Sequence, residues 1–352
     1  MNEILQEDLQ TLISEQKELL SELKNKSVLI TGATGLIGSL FARMLLVANQ
    51  ELALNIKVLL LVRNKQKAEN TFKKYLSSKY VKIIVRELDS PITINDDIDC
   101  IIHAASVTQS KSFIENPVDV FTTSILGTKH ILDLALEKKV SSAVYLSTME
   151  MYGQINSEEK ITESTYGIID PLLPRSSYPI SKLATENLCY SYFSQYQLPV
   201  KMARLTLTFG AGVFENDNRV FAQFIKSAMR GDDIVLQTKG ETKRDYIYTT
   251  DALNGLLHLL VKGENGASYN IANTDTFISI REMAEMVANK FSNGKSKVVI
   301  KEQDLSTTGY ASTVQINLDT TKLEELGWEA KYSLEAMYER LLGYLEGKVE
   351  CN

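Results

Sequence analysis

Tyr178 and Lys182 stand four residues apart in Ser177–Tyr178–Pro179–Ile180–Ser181–Lys182, a spacing that puts both side chains on one face of a helix. A free phenol, with a pKa of about 10, is a poor base at neutral pH. A neighbouring ammonium lowers that value, which suits Tyr178 to take and return a proton. On its own the pair is a common surface arrangement. Upstream, Tyr145–Leu146–Ser147–Thr148–Met149–Glu150 ends an apolar run with a hydroxyl, and Thr148 is expected to hydrogen-bond a reacting oxygen. Glu150 is either a second acid/base group or a polar residue of the loop.

Earlier in the chain, Val28–Leu29–Ile30–Thr31 runs straight into Gly32–Ala33–Thr34–Gly35–Leu36–Ile37–Gly38. Glycines let the backbone turn sharply and come close to a pyrophosphate, while a helix opening there offers free N–H groups and the positive end of its dipole. The turn follows an apolar run and precedes a helical pattern, so Gly32, Thr34, Gly35, Leu36, Ile37 and Gly38 are expected to hold a dinucleotide. Where an acid would bind the ribose 2′-hydroxyl of NAD, the chain has Arg63. That arginine is either a partner for the 2′-phosphate of NADP or a solvated side chain beside a loop. The expected cofactor is therefore NAD(P), leaning to NADP. Asp89 is expected near the adenine, and Ala104 and Ala105, in His103–Ala104–Ala105–Ser106, beside the cofactor.

The elements that must position these groups show in the periodicity. Ser27–Ile30, Lys57–Val62, Val81–Val85, Cys100–His103, Ala143–Ser147 and Val200–Leu205 read as buried strands. Ile37–Ala48, Pro117–Lys138 and Ser177–Tyr196 read as helices between them. This alternation predicts an α/β fold whose parallel sheet is covered on both faces. Residues 26–205 form the expected cofactor domain and 206–352 a smaller α/β lobe for substrate, with a helix over 248–262 returning to the first domain. Residues 1–25 hold an amphipathic helix over Ile4–Leu23, either a packing element or a regulatory or targeting one.

Bulk composition narrows the classes. The 352 residues are 44% hydrophobic and 23% charged, with a net charge of −6. An acidic chain with no basic run is a poor nucleic-acid binder. Its apolar runs are short of a membrane span, and its first residues carry acids with no basic leader. Cys100, Cys189 and Cys351, with His103, His130 and His258, make neither a disulfide framework nor a metal set. No metal is expected, and the cytoplasm is the expected location.

Together GATGLIG, HAAS, STMEMYG, YPISK, Ala203–Arg204–Leu205, KRDYIY and Tyr269–Asn270–Ile271–Ala272 resemble the extended short-chain dehydrogenase/reductases, the nucleotide-sugar epimerases, dehydratases and decarboxylases. The resemblance runs from about Lys26 to Trp328. It implies a Rossmann doubly wound parallel sheet and a homodimer. It also implies Tyr178 as the base on a sugar hydroxyl, Thr148 as its hydroxyl partner and Lys182 as the ribose-binding lysine. Arg244 falls where members contact the substrate's diphosphate or carboxylate, and Met149 falls in the substrate site. The 4,6-dehydratases carry Thr-Asp-Glu; the Met149 thioether cannot donate that proton, so dehydration is disfavoured. Glu150 matches the glutamate of sugar-acid decarboxylases, although Met149 replaces their serine. Leu207 and Ser124 each stand where asparagine is common. The expectation is a nucleotide-sugar enzyme working through a keto sugar, epimerase-type or decarboxylase-like. An NADPH-dependent reductase of an activated keto sugar is the alternative, and a non-catalytic cofactor-binding protein a third reading.

Overall fold

A computed structural model of the chain describes residues 2–155, 159–302 and 314–349; Cys351 lies outside them. The strands are β1 Ser27–Thr31, β2 Lys57–Val62, β3 Val81–Val85, β4 Cys100–His103, β5 Ser142–Thr148, β6 Val200–Leu205, β7 Leu207–Phe209, β8 Ile234–Leu236, β9 Lys243–Tyr248, β10 Ser268–Ile271, β11 Asn273–Ser279, β12 Val298–Ile300 and β13 Gln315–Ile316. Seven of them form one parallel sheet in the order β10-β6-β5-β4-β1-β2-β3. The expected Rossmann sheet is present, and its six anticipated strands fall within a residue of their expected ends.

Near-continuous apolar runs build it because both faces are covered. Alternate residues of one strand enter different cores: Val28 and Ile30 join one cluster, while Leu29 joins another with Leu59, Ile101 and Tyr145. After β3 the chain crosses back to lay β4 on the other side of β1. The order reverses there, which opens a crevice beyond the C-terminal ends of β1 and β4.

The second half of the chain is woven into the first. β7 and β9 pair in a four-stranded sheet with β11 and β13, and β8 pairs with β12. The helix Thr249–Lys262 packs against β5 and β6, where a return to the main sheet was expected. β10 then adds itself to β6, so the segment expected as a separate lobe also supplies an edge strand of the main sheet.

The predicted first helix is two, Glu3–Glu15 and Lys17–Ser21, broken at Gln16. The apolar face does what its periodicity implies: Leu5, Leu9, Leu12, Ile13, Leu19 and Leu20 are buried. They pack on the helices Leu36–Leu52, Thr249–Lys262 and Leu334–Val349. Asp8, buried within this contact, accepts hydrogen bonds from the Tyr248 hydroxyl at 2.6 Å and from Arg340 Nε at 2.5 Å. Leu9 is fully buried, so Leu9→Ala should cost about 2–5 kcal/mol. Urea denaturation measures this, and an unmoved midpoint would show that the segment adds nothing to the fold.

Candidate active site

The glycine turn sits where the strand order reverses. Gly32 has φ +62°, and a Cβ there would lie 2.7 Å from the Ala105 nitrogen and 2.8 Å from the Ala104 carbonyl. At Gly38, a Cβ would stand 2.5 Å from the Gly32 oxygen. The turn after β1 is thus pressed against the exit of β4, which brings Gly32, Gly38, Ala104 and Ala105 together as expected. Gly35 caps the helix Leu36–Leu52 without any side-chain hydrogen bond, leaving first-turn N–H groups facing the crevice. Thr34, Leu36 and Ile37 are half-buried around them. The cradle has the shape and the donors that a dinucleotide's diphosphate needs.

Behind it, Thr31 Oγ1 accepts from the Ala105 amide at 3.1 Å and bonds His103 Nδ1 at 2.6 Å, while His103 Nε2 bonds Thr128 Oγ1 at 3.0 Å. Burial, with the Lys182 charge adding to it, drives His103 down to about 3. It is a neutral strut between β1, β4 and the helix Pro117–Lys138.

Thr148 ends β5, with its hydroxyl close enough to the Tyr178 phenol to favour its ionised form. Tyr178 opens the helix Ser177–Tyr196, with Lys182 one turn on. The ammonium donates to the Leu146 carbonyl at 2.8 Å, and lies 4.8 Å from the Tyr145 ring centre and 5.9 Å from that of Tyr178. Burial lowers Lys182 to about 8 against the pull of Glu186 and Cys189.

The expected acidification of the phenol is not met in the free chain. Burial pushes Tyr178 well above its ordinary value and the Glu150 carboxylate adds to the rise; Thr148 and Arg175 only partly oppose them. Desolvation outweighs the nearby charge because the ring is walled in. Phe113 stacks flat on it, with centroids 4.3 Å apart and planes 7° from parallel. The Ser177 hydroxyl donates to the Phe113 carbonyl at 3.2 Å, tying the short helix Ser110–Glu115 to the catalytic one.

Glu150 lies at the mouth of this site. Its carboxylate pairs with Arg175 at 3.0 Å, both side chains about a quarter exposed. Met149 requires a correction: its side chain does not line the crevice. It is 3% exposed, accepts from the Thr206 hydroxyl at 3.1 Å and packs with Met151, Ile161, Ala272 and Leu318. Arg244 lies on β9 in register with Ile278 and Ile316, and its Nε is buried without a hydrogen-bond partner among the described residues. Arg63 and Asp89 are both exposed, each just past the end of its strand.

Sequence reasoning missed Phe113, Arg175 and the buried pair of Arg204 with Glu186. Arg204 meets Glu186 at 2.7 Å and also donates to the Tyr152 hydroxyl at 2.8 Å, locking β6 to the catalytic helix. A cation three residues before Tyr178 was the available signal for Arg175; a lone phenylalanine gave none.

Known proteins are similar to this chain. UDP-glucuronic acid decarboxylase 1 of Xenopus tropicalis is 28% identical over 336 residues, 95% of this chain and 75% of that protein. UDP-glucuronic acid decarboxylase 6 of Arabidopsis thaliana is 29% identical, over 88% of this chain and 86% of that one. Among solved structures, the epimerase Mth375 of Methanothermobacter thermautotrophicus has a TM-score of 0.80 at 20% identity, covering 96% of this chain and 97% of its own. UDP-glucose 4-epimerase of Thermotoga maritima has a TM-score of 0.76 at 20% identity, over 92% and 99%. The two structures speak for the fold. A family model for the NAD dependent epimerase/dehydratase family matches residues 28–272, and the chain belongs to that family.

Proposed function

We propose that this enzyme oxidises a ring carbon of a nucleotide-activated sugar, transforms the resulting keto sugar and reduces it again. The observation that carries the reading is the grouping of Thr148, at the end of β5, with Tyr178 and Lys182, whose ammonium lies 5.9 Å from the phenol ring centre. When bound, an oxidised nicotinamide supplies a hydride acceptor and a positive charge near the phenol. Thr148 holds the sugar oxygen, Tyr178 takes its proton as the carbon is oxidised, and Lys182 holds the nicotinamide ribose. Arg244, with its unpartnered buried Nε, is the group we assign to the substrate's phosphates or carboxylate. The sheet built on β9 then forms the substrate lobe.

Two outcomes fit the keto sugar. Inversion at the oxidised carbon needs only that the ring present its other face before reduction. If the neighbouring carbon bears a carboxylate, the keto sugar is a β-keto acid. It loses carbon dioxide to leave an enolate, which takes a proton before reduction. Glu150 beside the phenol and the decarboxylase relatives support this second outcome. Arg63, exposed at the end of β2 where no acid stands, supports NADP and with it the alternative of a net reductase.

Val118, Phe121 and Leu126 on one helix, and Tyr190 and Tyr196 on the helix packed beside it, are exposed. They support a homodimer formed through this helix pair. No helix among the described residues is long and apolar enough to cross a membrane. The buried free thiols of Cys100 and Cys189 suit the reducing cytoplasm, where we place the enzyme.

Purified protein incubated with UDP-, dTDP-, GDP- and CDP-sugars, including sugar acids, should yield product with only catalytic cofactor; stoichiometric NADPH consumption would identify the reductase instead. Tyr178→Phe should retain cofactor and lose turnover by roughly 10²–10⁴-fold, and wild-type rates in that variant would remove the mechanism. Gly38→Ala places a methyl 2.5 Å from the Gly32 oxygen. It should weaken cofactor binding by at least about tenfold, or about 1.4 kcal/mol, in a fluorescence titration with NADH and NADPH. Unchanged affinity would mean that this turn does not carry the cofactor.

A further inference from the structure

Four residues, Thr148, Glu150, Arg175 and Tyr178, come together at the proton-transfer centre. The Glu150 amide donates to Thr148 Oγ1 at 3.3 Å. The Thr148 hydroxyl lies near enough to the Tyr178 phenol to favour its ionised form. Arg175 lies three residues before Tyr178 on the turn Pro174–Ser176, which feeds directly into the catalytic helix. Its Nη2 reaches back to the Glu150 carboxylate at 3.0 Å. The group therefore spans two separate segments, the turn after β5 and the turn before the catalytic helix, and the charged pair of Arg175 with Glu150 ties them together.

We propose that Arg175 is a positioning residue for the reaction: by holding Glu150 it fixes Thr148 against the Tyr178 phenol and balances the carboxylate's charge there. This deepens the functional reading above and rests on Tyr178 as the acid/base group. The groups facing the phenol account for the balance. Phe113 covers one ring face with an apolar surface. The Lys182 ammonium lies 5.9 Å from the ring centre. Thr148 contributes a hydroxyl, Glu150 a negative charge and Arg175 a positive one. Glu150 and Arg175 act on the phenol in opposite senses, so removing either must move it in the opposite direction from the other.

The test needs no substrate. A polyfluorinated tyrosine placed at position 178 of the full, NAD-loaded chain brings the phenol's titration into a range that the fold tolerates, and fluorine NMR reads that one site. Arg175→Ala should raise the midpoint by about one unit and Glu150→Gln should lower it by a similar amount. Arg175→Lys, which keeps the charge, should return it most of the way. If Arg175→Ala does not fold, Arg175→Lys and Glu150→Gln carry the comparison. Midpoints that stay put, or that move the same way in both single variants, would overturn the proposal. With natural tyrosine and a sugar nucleotide that the wild type turns over, Arg175→Ala should lower kcat about 10- to 100-fold with little change in KM. A panel that yields no turnover in the wild type counts against the functional reading alone, since the NMR comparison still decides the role of Arg175.

Discussion

The structure depends on two backbones coming closer than any side chain permits. Gly32 meets the exit of β4 at distances under 3 Å from where its Cβ would be, and Gly38 meets the Gly32 carbonyl in the same way. This contact joins β1 to β4 where the strand order reverses, and so fixes the floor of the crevice. It also aims the start of the helix Leu36–Leu52 into that crevice. The Thr31–His103–Thr128 relay lies directly beneath and holds the two strand ends in register. A neutral histidine suits that position, because a charged ring would add a second cation near Lys182 in a dry interior.

Above this floor, the chemistry is set by competition between desolvation and charge. Tyr178 and Lys182 are both pressed toward their neutral forms by burial, the phenol with Phe113 stacked on its ring and the ammonium against the pull of Glu186. Burial of this kind favours the neutral phenol, and a positive charge brought close to the ring would oppose it.

Much of this was legible in the residue order. Strands such as Lys57–Val62 and helices such as Pro117–Lys138 are set by local periodicity, and their ends agree with the structure. The glycine turn and the Tyr178–Lys182 spacing are equally local, so they too could be read in advance. What could not be read depends on contacts distant in sequence. β10 joins β6 across more than one intervening element, and nothing in Ser268–Ile271 names its partner. Met149 looked like a crevice residue by position, yet the turn after β5 rolls its side chain into the Ile161–Leu318 cluster. The rise of the Tyr178 phenol was misjudged for a related reason: spacing reveals a neighbouring charge, whereas the extent of burial emerges only when Phe113 arrives from another helix.

The two ends of the chain clasp one another. Asn2 donates to the Tyr344 carbonyl at 3.1 Å, and Asp8 reaches Arg340. The apolar stripe of the helix Glu3–Glu15 is synthesised well before residues 334–349, which supply part of its cover. Until that later segment emerges, the stripe lacks part of its apolar cover, which makes it a natural point of engagement for folding helpers.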